Sequence, residues 1–142
     1  MIAFKKILVF LLIPSISYGA TIYIDATPGT DCSGDYSIAS RACSGSDGNS
    51  YDTIAEGETN ASAGDTLAIR AGTYEITKVT WDQDYGSLVT VKAYNSESVI
   101  ITPTDTAYAD ANYPLFVVTG QNLKFQDLEF DGEQDTNCAG AC

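Results

Sequence analysis

The sequence predicts an all-β fold of stacked coils, a solenoid with a short helix at its start. Three observations predict it. From Gly64 onward, short alternating segments are separated by turn residues, and nothing reads as a long helix. "LAIRA" begins at Leu67 and "VTVKA" at Val89, an offset of 22 residues. Both place apolar residues first, third and fifth and a base fourth, and "LFVVTG", from Leu115, recurs without the base. A recurrence of that size suits coils that bury their apolar sides on one another. A β-sandwich also uses short strands and turns, but it needs no recurring period.

The elements follow in order. Residues 1–19 read as a signal peptide. Lys5 and Lys6 precede the apolar run Ile7 to Ile13, and Ser17 and Gly19 suit cleavage before Ala20. The run is too short to span a bilayer, so no membrane span is expected in the mature chain and the protein is expected to be secreted or at the cell surface. Residues 20–142 are then one domain. "TIYIDA", Thr21 to Ala26, is a strand, and residues 27–50 are a loop rich in Gly, Ser, Asp and Cys. In "TIAE", Thr53 and Glu56 fit a capping box that starts a short helix. Gly57, Thr59 and Asn60 weaken that helix. Later strands are expected in "TLAIRAG", "YEITKVTW", "LVTVKAY", "SVIITP", "LFVVTG" and "NLKFQDLEFDG".

Charge narrows the function. The 142 residues carry 7 Lys and Arg against 19 Asp and Glu, with no His and a net charge of -12. A nucleic-acid partner is excluded, because phosphate contacts need clustered bases. The acids are either a solubilising surface or, in part, ligands for a hard cation such as calcium. Export makes disulfides the first expectation for Cys32, Cys43, Cys138 and Cys142. Cys32 and Cys43 bracket one loop and are expected to pair. Zinc fits the spacing poorly.

The segment "YDTIAEGETNASAGDTLAIRAGTYEI" resembles the N-terminal cap and first coil of secreted right-handed parallel β-helix proteins, the pectate-lyase-like superfamily. The likeness rests on "YID" at Tyr23 to Asp25, "TI" at Thr53 and Ile54, "GDT" at Gly64 to Thr66 and "GTY" at Gly72 to Tyr74. It covers roughly residues 21–131 and is strongest at 51–76. Gly57 and Glu58 depart from it where the family has Ala and an apolar residue, which implies a frayed helix. The resemblance implies the N-terminal portion of a right-handed parallel β-helix, truncated here, with Leu67, Ile69 and Ala71 pointing inward and Thr66, Ala68 and Arg70 outward. It also implies a polysaccharide partner and lyase-like chemistry, in which calcium neutralises a substrate carboxylate and Lys or Arg removes the adjacent proton. The active site would be incomplete in this chain. The rival expectation is a non-catalytic cell-surface adhesin or structural β-solenoid.

Candidate site residues follow. On one strand, Asp127, Glu129 and Asp131 would share a face and hold calcium, with Asp135 and Asn137 near. The competing reading is a solvated acidic face. Arg70 and Lys92 would stack on the outer face and bind an acidic sugar, or simply pair with nearby acids. Trp81 and Tyr85, in "TWDQDYGS", would offer rings to a sugar, although Trp81 also suits a core. A paired-carboxylate glycosidase is the other enzymatic reading, and sequence spacing names no pair for it.

Overall fold

The computed structural model describes residues 19–77, 79–104 and 116–131. After β1 (Thr21–Ile24) come three short strands, β2 (Tyr36–Ser37), β3 (Ala42–Cys43) and β4 (Ser50–Tyr51). Helix α1 (Ile54–Asn60) follows, then β5 (Thr66–Ile69), β6 (Gly72–Ile76), β7 (Val79–Trp81) and β8 (Asp84–Ala93). Beyond a 3-10 turn at Tyr94–Ser96 lie β9 (Val99–Pro103), β10 (Phe116–Val118), β11 (Gln121–Gln126) and β12 (Glu129–Phe130). Residues 1–18 of the expected signal peptide, Lys78, Cys138 and Cys142 lie outside the described residues, as do Asp135 and Asn137.

The strands form four separate sheets. One has the order β11-β8-β5-β1-β4, a second β12-β9-β6, a third β10-β7, and all of their pairs are parallel. The fourth is the antiparallel pair β2-β3. This corrects the expected all-β right-handed parallel β-helix: among the described residues the fold is mixed, mostly strands in several sheets with one α-helix.

Two physical reasons account for the correction. The first is that the period does not hold. Thr66 lies beside Thr90 and Thr90 beside Lys124, steps of 24 and 34 residues within one sheet. Val79 lies beside Phe116, a step of 37 residues in another. The offset read from the sequence also sets the wrong register, because Leu67 lies beside Val91 and not Val89. The second reason is that both faces of the five-stranded sheet are covered over β1 and β5. Leu67, Ile69, Val89, Val91 and Ala93 join Ile24, Ile54, Ile76, Trp81 and Ile101 in the main core. Ala68, from the opposite face of β5, joins Tyr23, Cys32 and Tyr36 in a second core. The loop between β1 and β4 folds back to build that second core, so the face expected to meet solvent is buried. Strands buried on both faces lose the simple inside-outside alternation on which a sequence reading depends.

Helix α1 forms much as its capping box predicts. The Glu56 amide donates to the Thr53 hydroxyl at 3.2 Å. The Glu56 carboxylate accepts from that same hydroxyl at 2.5 Å, instead of from the Thr53 backbone. Gly57 is not a weak point in the cap. A Cβ there would lie 2.6 Å from Ile24 Cδ1, so glycine lets the helix press onto the main core. Gly64 has a φ of +90° in the turn that leads into β5, a conformation that favours glycine.

Candidate functional site

A cleft of about 370 Å³ opens between the start of α1 and β6. Ile54, Tyr74, Ile76 and Val79 line it with apolar surface. All four are buried core residues and form its floor, while Ala26 and Ala55 are the exposed apolar lining. Asp52 and Thr53 line the helix side, and Thr73, Glu75 and Thr77 line the strand side. Strand β6 alternates: Tyr74 and Ile76 turn into the core while Thr73 and Glu75 are exposed. It stands at the edge of its sheet, and among the described residues no neighbouring strand covers it on the side away from β9. The Tyr74 hydroxyl is shared between the carbonyls of Arg70 at 2.9 Å and Ile24 at 3.0 Å. Burial first, then the Asp25 charge, pushes that hydroxyl up to about 12. It is a fixed neutral donor and no acid for chemistry at neutral pH.

Beside the cleft, Asp31, Asp52 and Glu56 bring carboxylate oxygens within 4.8 Å of one another. Each is engaged locally. Asp31 accepts from the Asp52 amide at 3.2 Å, and Glu56 is held by Thr53. The hydrogen bond to Glu56 raises Asp52 above the usual aspartate value, and the Thr53 hydroxyl followed by Asp52 lowers Glu56. Asp52 is therefore the more easily protonated of the two.

The sequence-predicted residues fare differently. Arg70 is 6% exposed. Its Nε and Nη2 each donate to Glu97 at 3.0 Å, and its Nη1 donates to the Tyr36 hydroxyl at 2.8 Å and the Ile38 carbonyl at 3.0 Å. The guanidinium also lies over the Tyr94 ring, 4.7 Å from its centroid. Burial alone would lower Arg70, but Glu97 and Tyr36 outweigh it and raise it further above its ordinary value. It is a structural cation, unavailable to a sugar. Lys92 is half-buried and lies beside Ala68, so it does not stack on Arg70 as expected. Trp81 is fully buried, with ring centroids 5.5 Å from Phe125 and 6.3 Å from Phe116. Tyr85 is also buried. Neither ring is open to a ligand, because "TWDQDYGS" contributes to β7 and β8 and is not a free loop.

The calcium expectation at Asp127, Glu129 and Asp131 does not fit either. Asp127 has a φ of 56° and lies between β11 and β12, so the three acids do not share one strand face. They are exposed, and among the described residues they form no group with oxygens within 4.8 Å. The disulfide expectation is borne out: Cys32 and Cys43 are bonded, with Cα atoms 5.1 Å apart.

Sequence reading missed a buried ionic network. Asp25, fully buried, accepts from Arg41 Nη2 at 2.6 Å, from Arg41 Nε at 2.9 Å and from the Tyr36 hydroxyl at 2.6 Å. Burial pushes its carboxyl up, but the Arg41 and Tyr36 hydrogen bonds prevail and hold it at about 2. Tyr36 links this pair to Arg70 and Glu97, so five side chains form one chain of contacts beneath the β1–β4 loop. The network is structural and lies in the second core.

No family model matches the chain, and no solved structure does. Among curated proteins the chain is similar to "Uncharacterized protein YwoF" of Bacillus subtilis (strain 168), with 31% identity over 130 residues. The match covers 82% of this chain and 27% of that protein, so the chain spans about a quarter of the length of the curated relative it matches. Among the described residues, no helix is long and apolar enough to cross a membrane.

Proposed function

We propose that the chain belongs to an exported protein and binds extracellular polysaccharide through the cleft between α1 and β6. The observation that supports this is the cleft's lining. Sugars are amphipathic, with C–H faces that pack on apolar surface and hydroxyls that need partners. Ala26 and Ala55, both exposed, supply the first, over a floor of buried Ile54, Ile76 and Val79, and Thr53, Thr73 and Glu75 supply the second. The volume, about 370 Å³, falls near the lower end of the roughly 300–1,000 Å³ of small-molecule sites, enough for a short stretch of glycan. The Cys32–Cys43 disulfide supports an oxidising compartment. The reading is one of binding. Proton abstraction next to a uronate needs a base at the ligand, and no described residue lining the cleft is Lys or Arg.

Affinity electrophoresis through gels containing soluble polysaccharides tests this. The chain should be retarded by at least one polymer. Thr73→Trp, at an exposed position, should fill the cleft and abolish the retardation while leaving the melting temperature within a few degrees. Retardation by no polymer, or retardation that Thr73→Trp does not change, overturns the proposal.

A further inference from the structure

The charge of the cleft selects among sugars. The charged side chains that line it are Asp52 and Glu75, and Glu56 and Asp31 stand beside Asp52. No described lining residue is basic; Lys78, between Thr77 and Val79, lies outside the described residues. The two arginines of this half of the molecule are already paired, Arg41 with Asp25 at 2.6 Å and Arg70 with Glu97 at 3.0 Å. Arg41 also donates to the Ala71 carbonyl at 2.8 Å, which fixes it further. A uronate would bring its own carboxylate against these acids with no described cation to meet it, and like charges at close range are disfavoured. An uncharged sugar meets the opposite situation. Its vicinal hydroxyls donate to carboxylate oxygens, which are strong acceptors, and its C–H face meets the exposed Ala26 and Ala55 of the lining.

Resting on the polysaccharide-binding reading, we propose that the cleft takes uncharged sugar residues, whose hydroxyls donate to the Asp52 and Glu75 carboxylates, and that it rejects uronates. The test is calorimetric titration of the full chain, in a chelator, against neutral hexaoses (cello-, xylo-, manno- and maltohexaose) and against hexagalacturonate and hexamannuronate. At least one neutral hexaose should bind at least about tenfold more tightly than either uronate, a difference of about 1.4 kcal/mol. Glu75→Gln should weaken that neutral sugar several-fold, and Glu75→Lys should narrow the gap to the uronates. Glu75 is exposed on an edge strand, so both variants should keep the wild-type melting temperature. A uronate that binds as tightly as every neutral hexaose overturns the inference and leaves the binding site standing. A neutral sugar whose affinity ignores both Glu75 variants also overturns it. If none of the six binds, the polysaccharide reading itself fails and the inference with it.

Discussion

Over β1 and β5, the two faces of the five-stranded sheet are both buried, but by different forces. Leu67, Ile69, Val89 and Val91 lie on the inner face with no more than 1% exposure, and they rest on apolar contact alone. On the outer face, Ala68 and Arg70 are covered by Tyr23 and Tyr36, by the Cys32–Cys43 disulfide and by the Asp25–Arg41 and Arg70–Glu97 pairs. Apolar burial is non-directional and nearly indifferent to pH. A buried ion pair is directional, and losing one partner strands the other charge. The same strand, β5, thus separates a core that tolerates changes of condition from one that does not.

The largest way to break that contrast is Asp25→Ala. It strands the Arg41 guanidinium and the Tyr36 hydroxyl, and should cost about 3–5 kcal/mol in urea unfolding. A cost below about 1 kcal/mol would mean that the network does not hold the outer face. Acid offers a smaller and sharper probe. The Asp25 carboxyl is lowered from 3.8 to about 2 on folding, so its contribution is fully present above about pH 4 and is lost as pH falls through about 2. That contribution is roughly 2 kcal/mol, read as the drop in unfolding free energy between pH 5 and pH 2. Asp25→Asn should remove this part of the pH slope. A slope unchanged in that variant would assign the acid sensitivity to other carboxylates.

Much of the secondary structure is legible in the sequence, and the reasons are local. Alternation in "TLAI" and "SVIITP" marks β5 and β9, and Thr53 with Glu56 marks the start of α1. The Cys32–Cys43 pairing follows from two cysteines bracketing one loop. The architecture was not legible, because strand spacing depends on loop lengths that no apolar pattern reports. The outer face was misread for a related reason. Nothing in "TLAIRAG" shows that a loop some thirty residues earlier would return to bury Arg70 (its partner Tyr36 lies in that loop). Nor does sequence select Asp25 for Arg41 among 19 acids. The cleft was equally hidden: its sides come from the helix cap and from β6, which no local pattern brings together.

If the outer face is a closed core and the cleft is the open surface, ligand contacts must map to one and not the other. The most direct test is a two-dimensional amide NMR titration of the chain with the tightest-binding oligosaccharide. Shifts should concentrate at Thr53, Thr73, Glu75 and Thr77, with Arg70, Lys92 and Tyr94 unmoved. Shifts centred on Arg70 and Lys92, with the amides of β6 silent, would contradict the account.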